Sequence, residues 1–287
     1  MADATLNYII PPDERPRNYM CDPPEGTPWR NYEITKVRAT VEDGRELAEE
    51  PTLDTAGIAL VRHRTQVADL YDSPTIREHY YREMEQLVKR VTGAVRVHAF
   101  DHNLRSTNGV AQASVISVDT DPNNRPRLAQ EGEDPGRLNL QTPVWYAHND
   151  FTLASGPERL REELPDEAET LLERRFSIVN VWKPIRGPVQ DVPLAVLDGR
   201  SLGEGDLVAS DLVYSDRVGE VYALAFNPRH HWIYYSQMQA DEALLFKCYD
   251  SDLEHMRFTA HSAFDDPSCP EGALPRESIE VRTLVFF

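Results

Sequence analysis

The alternation of hydrophobic and polar positions predicts a chain built mostly from strands. Short apolar or alternating runs recur along the sequence, and residues typical of turns separate them at short intervals. The strands expected from this pattern are 111–118, 143–148, 176–182, 194–197, 221–226, 232–235, 243–249, 258–264 and 278–286. Many short strands favour an antiparallel barrel or jelly roll over an alternating βαβ fold.

Two segments show helical periodicity instead. Residues 73–93 begin at a Ser-Pro pair, which is typical of a helix N-terminus, and Gly93 is placed to end the helix. Residues 155–175 open with the spacing of a capping box and are interrupted at Pro165. We therefore expect a mainly β fold with flanking helices.

The chain is expected to form a single domain over residues 1–287. Neither an internal repeat nor a clear linker is present, and all-β domains of this size are common. Residues 1–35 are rich in proline and aromatic residues, which predicts an extended arm that wraps the body. The jelly-roll core is expected mainly within 95–287, and the acidic segment 119–136 is expected to be a surface loop.

Composition and charge limit the classes of partner. Apolar residues make up 40% of the chain and charged residues 27%, as in an ordinary soluble globular protein. The formal net charge of −18 repels nucleic acid and anionic lipid surfaces. A small-molecule substrate is therefore expected, and homo-oligomerisation is left open. An anionic ligand would need specific arginines in its pocket.

The cysteines and the amino terminus predict a cytoplasmic location without a membrane anchor. Cys21, Cys248 and Cys269 are odd in number and form no Cys-x-x-Cys pair, which favours a reducing compartment. The first residues lack a basic segment followed by a long apolar one, and no apolar run is long enough to span a membrane.

The segment that carries the most chemical information ends an expected strand at His148-Asn149-Asp150. Because side chains alternate along a strand, His148 and Asp150 share one face. His261, far downstream in an apolar run, could be brought close by closure of a barrel. Two histidines and one carboxylate that leave open positions suit Fe(II) for oxygen chemistry. These residues are the expected catalytic and metal-binding set.

Structural alternatives remain open for each of these residues. His148 could be a hydrogen-bonded strand histidine, and Asp150 could cap the turn before Thr152. A histidine in an apolar strand, such as His261, is more often a satisfied core residue. The tripeptide alone is a weak signal, because about one His-x-Asp is expected by chance in such a chain.

A candidate anion clamp follows His261 in the sequence. Arg276 and Ser278 share one face of the terminal strand, where a guanidinium fork and a hydroxyl could bind the distal carboxylate of 2-oxoglutarate. Glu280 and Arg282 continue that face, so Arg282 is either a second anion contact or the partner of Glu280. The alternative is a solvated salt-bridge edge, but the apolar carboxyl terminus favours a buried strand.

Further candidate substrate residues are aromatics and cations near these segments. Such pairs suit a small substrate that carries a carboxylate. The alternatives are a core position for Trp182 and Tyr235 and a surface position for Arg105 and Lys183. The full candidate set is Arg105, Tyr146, Trp182, Lys183, Tyr235 and Arg282.

At these residues the sequence resembles a family of Fe(II)/2-oxoglutarate-dependent oxygenases of bacterial and fungal secondary metabolism. The family includes gibberellin-desaturase-like proteins, a cephamycin 7α-methoxylation component and fungal enzymes that form aziridine rings. The resemblance spans nearly the whole chain, and the segments that carry it include 100–105, 148–152, 180–184, 241–251 and 275–282. One departure is Tyr234-Tyr235-Ser236-Gln237, where a proline more usually follows the aromatics.

The resemblance implies a double-stranded β-helix, which is a jelly-roll, cupin-like fold. It implies His148, Asp150 and His261 as iron ligands, Arg276 with Ser278 as the cosubstrate clamp, and O2 as the oxidant. The expected reaction is hydroxylation, desaturation or oxidative ring closure of a small amino-acid-derived or carboxylate-bearing metabolite. The alternatives are a non-catalytic jelly-roll subunit that binds a small molecule for a companion enzyme, and a zinc-dependent hydrolase.

Overall fold

The structure, a computed structural model, describes residues 1–110 and 140–287. The expected strand 111–118 and the expected loop 119–136 lie outside the described residues. Strands in the described part are β1 Ala2–Ile10, β2 Arg17–Tyr19, β3 Glu33–Asp43, β4 Ile58–Arg62, β5 Arg96–Val110, β6 Leu140–Gln141, β7 His148–Asn149, β8 Phe176–Pro184, β9 Leu194–Leu197, β10 Leu207–Val213, β11 Val218–Leu224, β12 Trp232–Tyr234, β13 Glu242–Asp250, β14 His261–Ala263 and β15 Glu277–Phe286.

Helices are few and short. They are α1 Ser73–Thr75, a π-helical turn Ile76–Tyr80, α2 Tyr81–Thr92, α3 Ser155–Glu163, α4 Ala168–Leu172 and a 3-10 turn Gly199–Ser201. Helix α2 ends at Gly93, whose φ of 71° is the left-handed conformation that glycine adopts without a steric penalty. The expected helix 155–175 is divided into α3 and α4 around Pro165, since proline lacks the amide hydrogen that a continuous helix requires there.

The strands of the described part form two sheets. The nine-stranded sheet has the order β1-β3-β12-β9-β14-β7-β11-β10-β2, and the six-stranded sheet has the order β4-β13-β8-β15-β5-β6. Neighbours in each sheet are mostly distant in sequence, as in a jelly roll. The two sheets pack face to face: Val196 and Ile233 of the larger sheet share a core cluster with Trp182, Phe246 and Leu284 of the smaller one.

The six-stranded sheet is covered on both faces. Every residue of β8 is buried, and alternate side chains point to opposite sides. Ile178 and Trp182 face the other sheet, whereas Val179 and Val181 pack with Leu87 of α2. This double burial explains why β8 carries apolar residues on both faces instead of alternating apolar and polar residues.

The amino-terminal segment differs from the extended arm expected over 1–35. Residues 2–10 form β1, which pairs with β3 over its full length and thereby belongs to the nine-stranded sheet. With β3 and β4, the segment before residue 63 contributes strands to both sheets, so the sheets extend well beyond the expected core at 95–287. Burial alternates over Ala2–Leu6 and is then continuous to Ile9, a mixed pattern that predicts a strand poorly.

We expect Leu6→Ala to lower the free energy of unfolding by about 2–5 kcal/mol, because the side chain is fully buried and its removal leaves a cavity. Thr5→Ala is the matched control on the exposed side of the same strand and should change stability by less than about 0.5 kcal/mol. Urea denaturation, monitored by circular dichroism, measures the free energy of unfolding of both variants. Equal, small effects would mean that β1 is dispensable for the core.

Candidate metal centre

His148 and His261 meet on adjacent strands of the nine-stranded sheet. Strands β7 and β14 are antiparallel, and His148 lies directly opposite His261 in their register. Directly opposed residues of an antiparallel pair direct their side chains to the same face. The centroids of the two imidazole rings accordingly lie 4.2 Å apart, although the two residues are 113 positions apart in the sequence. Sheet pairing alone therefore brings two nitrogen ligands together.

Asp150 completes a cluster with the two histidines. One ligand atom from each of His148, Asp150 and His261 can be chosen so that all three lie within 4.8 Å of one another. The Nε2 atom of His148 lies 3.6 Å from Oδ1 of Asp150. The loop that carries Asp150 is tied to the six-stranded sheet, because the buried Asn149 side chain donates a 2.9 Å hydrogen bond to the carbonyl of Cys248.

The orientation of His148 is fixed by its backbone neighbour. Its Nδ1 lies 2.9 Å from the carbonyl oxygen of Tyr146, which can only accept, so Nδ1 carries the hydrogen and Nε2 presents its lone pair to the cluster. A histidine that donates its other ring hydrogen to a carbonyl is typical of metal ligands. The ring of Tyr146 stacks on the same imidazole at 4.9 Å.

Burial keeps both imidazoles neutral. Desolvation, reinforced by the proximity of His261, lowers the pKa of His148 to about 3. Desolvation also lowers the pKa of His261 to about 4. Neutral imidazole is the form that binds a metal ion, so neither ring has to lose a proton near neutral pH before it can coordinate.

Asp150 is held as a carboxylate by two residues of the opposite sheet. Its Oδ2 accepts hydrogen bonds from Nε of Arg282 at 2.9 Å and from Nδ2 of Asn180 at 2.7 Å. Burial alone would raise the pKa of Asp150, but Arg282 and the nearby histidines hold it well below its usual value. Since Oδ2 is occupied, Oδ1 is the oxygen that faces His148.

This donor set fits a divalent metal ion. Two neutral nitrogen donors and one anionic oxygen converge from two backbone segments, β7 with the residue after it and β14. Each of His148 and Asp150 is oriented through its second polar atom. Nδ1 of His261 is buried and has no hydrogen-bond partner among the described residues. Two histidines and one carboxylate on one face are the ligands of mononuclear non-haem iron sites.

An inner cavity of about 20 Å³ lies beside the cluster, between the two sheets. Its lining includes both histidines together with Arg105, Trp182, Arg276, Glu280 and Arg282. The guanidinium of Arg276 is buried, donates from Nη1 to the carbonyl of Val192 at 2.6 Å, and keeps Nε without a partner in the described part of the chain. Burial, with repulsion from Arg105, lowers the pKa of Arg276 to about 9.

The carbonyl that holds Arg276 comes from an unusual backbone position. Val192 has a φ of 44°, in the left-handed region that β-branched residues rarely adopt. Backbone strain of this kind persists only where the surroundings enforce it and is common near functional sites. Here it directs the Val192 carbonyl toward the Arg276 guanidinium.

A main cavity of about 650 Å³ opens on the other side of the cluster. His148, Asp150 and Arg105 line its inner end, and Phe100, Phe151 and Tyr146 add an aromatic wall. Strands β10 and β11, helix α3 and Met20 contribute further lining residues, and so do Asp101, Asn103, Gln141, Val144 and Arg282. The cavity is large enough for a small organic molecule next to the metal-binding residues.

Two of the sequence-predicted substrate residues lie elsewhere. Lys183 follows Trp182 by one residue, so alternation directs it to the opposite face of β8, where its ammonium donates to the carbonyls of His63, Ala240 and Glu242. Tyr235 is buried in the core cluster between the sheets. Neither residue belongs to the described lining of the main or the inner cavity, so the geometry does not support either one as a substrate contact.

The other predicted residues come together at the cluster. Arg105 and Arg282 line both cavities, Tyr146 lines the main one, and Trp182 and Arg276 line the inner one. Ser278 is buried on the same face of β15 as Arg276 and lies opposite Arg105 in the sheet register. The alternation predicted for β15 is confirmed, since Ile279 and Val281 pack on the helix side instead.

Sequence analysis missed the residues that support Asp150. Asn180 lies directly opposite Arg282 in the register of β8 and β15, which explains why both reach the same carboxylate oxygen. The sequence does contain a signal for Asn180. On the face of β8 that Asn180 shares with Trp182, it is the one polar residue. The aromatic residues Phe100 and Phe151 of the main cavity were also missed, because aromatic residues are common in cores.

Two packed sheets with a His-Asp-His cluster between them define the class of jelly-roll, non-haem metal oxygenases. A family model described as "Oxidoreductase/YMDC permease-like domain" matches residues 6–286. In the described part of the chain, no helix is long and apolar enough to cross a membrane.

Similar proteins come from fungi. The chain is 33% identical to "Hydroxylase/desaturase CTB9" of Cercospora beticola, over 99% of this chain and 86% of that protein. It is 31% identical to "Fe(II)/2-oxoglutarate-dependent dioxygenase nvfI" of Aspergillus novofumigatus, over 93% and 90%. A solved structure of the iron and alpha-ketoglutarate-dependent endoperoxidase NvfI superposes with a TM-score of 0.83 at 28% identity and covers 99% of this chain and 97% of that one.

The chain belongs to the family of Fe(II)/2-oxoglutarate-dependent oxygenases of fungal secondary metabolism. The resemblance, the jelly-roll fold and the oxidoreductase class inferred from sequence are thereby confirmed. Fe(II), 2-oxoglutarate and O2 are the cofactor and cosubstrates of this family, and the catalytic interpretation is favoured over a non-catalytic partner subunit.

We expect Arg282→Lys to weaken metal binding by about 10- to 100-fold, as for other residues that orient a metal ligand. Lysine keeps the charge but cannot donate to Asp150 and Asp101 at once, as Nε and Nη1 of the arginine do. Calorimetric titration with Mn(II) measures the affinity. Arg62→Lys, at an exposed ion pair with Asp241, is the matched control. Equal affinities of the two variants would mean that Arg282 does not position the carboxylate.

Proposed function

We propose that the chain oxidises a small metabolite, with Fe(II) held by His148, Asp150 and His261. The observation that carries the proposal is the convergence of two neutral imidazoles and one oriented carboxylate on a single point between the sheets. The family of the chain supports iron over zinc, and thereby oxidation over hydrolysis.

The side chains of the protein would prepare and protect this site. His148 keeps its lone pair directed inward through the hydrogen bond to Tyr146, and Asp150 keeps one oxygen directed at His148 because the other is bound. Burial of His148 and His261 would exclude bulk water from one side of the bound ion. When bound, Fe(II) and 2-oxoglutarate supply the oxidation of an unactivated C–H bond, with O2 consumed and succinate and carbon dioxide released.

We propose Arg276, with Ser278, as the clamp for the distal carboxylate of 2-oxoglutarate. The support is the unpartnered Nε of Arg276 beside the inner cavity, since a buried guanidinium with a free donor calls for an anionic acceptor. The guanidinium carbon of Arg276 lies 5.7 Å from the centroid of the Trp182 ring, within cation–π distance.

The outcome at the substrate is proposed at the level of oxidation, which includes hydroxylation, desaturation and oxidative ring closure. The similar proteins are named as hydroxylase/desaturases and as an endoperoxidase, so the same type of site serves several outcomes.

We also propose that residues 1–287 act as a single domain in the cytoplasm. The free state of Cys21, Cys248 and Cys269 supports a reducing compartment.

In the decisive experiment, purified protein reconstituted anaerobically with Fe(II) is mixed with 2-oxoglutarate and O2. The wild type should release succinate, and His148→Ala should reduce the release by at least about 100-fold, because a neutral nitrogen ligand is lost. His79→Ala, at a largely exposed histidine, is the matched control and should keep wild-type release. Succinate release that needs neither iron nor His148 would contradict the iron assignment.

We expect Arg276→Met to weaken 2-oxoglutarate binding by about 10- to 100-fold, since hydrogen bonds to charged groups contribute about 1.5–3 kcal/mol. Methionine retains most of the buried volume beside Trp182, and Mn(II) affinity should stay within about threefold of wild type. Calorimetry on the Mn(II)-loaded protein gives both constants. A variant that binds 2-oxoglutarate as tightly as wild type would remove Arg276 from this role.

A further inference from the structure

The arginines of the main cavity differ in how their charges are balanced. Arg282 is bound to the carboxylates of Asp150, Asp101 and Glu280. Arg159 pairs with Glu162 and Glu163, and the exposed Arg217 lies over the ring of Tyr214. Each of these three cations is therefore neutralised by a neighbour or hydrated at the surface.

Arg105 is the exception. Within the described residues its side chain makes one hydrogen bond, from Nη1 to the carbonyl of Thr142 at 2.8 Å, and no carboxylate lies within ion-pair distance of it. Burial lowers the pKa of Arg105; the more distant carboxylate of Glu280 opposes this effect, and the charge of Arg282 adds to it. A partly buried guanidinium without a carboxylate partner is costly unless a ligand supplies the anion.

The acids of the main cavity leave Arg105 available to a ligand. Every carboxylate of the described lining already has a cationic partner. The pairs are Asp101 and Asp150 with Arg282, Glu158 with Arg161, Glu162 with Arg159, and Glu220 with Arg15. These ion pairs therefore reduce the repulsion that an incoming anion meets where Arg105 lines the cavity.

The carboxylate that binds Arg105 could come from either of two ligands, the cosubstrate or the substrate. Arg276 lines only the inner cavity, whereas Arg105 lines both cavities and shares the main one with Phe100, Phe151 and Tyr146. The inner cavity of about 20 Å³ adjoins Arg276, whose free Nε provides for the distal carboxylate of the cosubstrate. The position of Arg105 next to the aromatic wall favours the substrate.

We infer that Arg105 binds a carboxylate of the organic substrate, and that the substrate is an organic acid with an aromatic or apolar body that packs on Phe100, Phe151 and Tyr146. This inference rests on the proposed function, since it places the substrate beside the iron ligands. In the described part of the chain, Arg276 and Arg105 are the arginines of the inner cavity without a carboxylate partner. The inference assigns Arg276 to the cosubstrate and Arg105 to the substrate.

The test compares an acid with its neutral amide. The protein is loaded with Mn(II) and 2-oxoglutarate, and 3-phenylpropanoate or 3-phenylpropanamide is titrated by calorimetry. The wild type should bind the acid at least tenfold more tightly than the amide. Arg105→Met should abolish that preference, and Arg105→Lys should retain part of it because the charge remains. Arg96→Met, on the same strand but outside the cavity, should keep the full preference.

The results separate the possible outcomes. Equal affinity of the wild type for acid and amide, or binding of neither, overturns the inference. Loss of 2-oxoglutarate affinity in Arg105→Met, to the extent seen in Arg276→Met, assigns Arg105 to the cosubstrate and also overturns it. Failure of the proposed function is distinct, since the wild type would then release no succinate with Fe(II), 2-oxoglutarate and O2.

Discussion

The contact between the Asp150 carboxylate and Arg282 is the interaction on which the site depends. A buried carboxylate is strongly disfavoured unless it is paired and hydrogen-bonded, and both partners of Asp150 come from the opposite sheet. The nine-stranded sheet supplies His148 and His261, while the six-stranded sheet supplies Asn180 and Arg282. The metal-binding geometry therefore exists only when the two sheets are packed, and sheet packing and site assembly become one event.

A second consequence concerns charge in a protein with a net charge of −18. Such a chain repels anions at long range, so an anionic cosubstrate is bound only if local cations outweigh that field. The structure concentrates Arg105, Arg276 and Arg282 around the two cavities and balances the third of them with carboxylates. Burial, with repulsion from Arg105, lowers the pKa of Arg276, and a bound anion would offset both effects.

Much of the fold and site could be predicted because both depend on local patterns. The apolar run 194–197 and the pattern over 278–286 predict strands close to β9 and β15. Alternation also places Arg276, Glu280 and Arg282 on one face. The pairing of His148 with His261 is a long-range register, which no local pattern contains. The sequence does not indicate that Lys183 points away from the two cavities. Both faces of β8 are buried, so the residue pattern does not show which face is directed toward the other sheet.

The architecture separates the parts of the site that must be rigid from the parts that can vary. His148, His261 and Arg282 lie on paired strands, and the register of these strands leaves little freedom in their positions. Asp150 lies outside the strands and is held by hydrogen bonds to Asn180 and Arg282. The outer wall of the main cavity comes from α3, from β10 and β11 near one end of the nine-stranded sheet, and from Met20. Because the side chains of that wall are not members of the His148, Asp150 and His261 cluster, substitutions there can change substrate choice without removing an iron ligand. This separation accounts for relatives with similar folds that carry names for different oxidations.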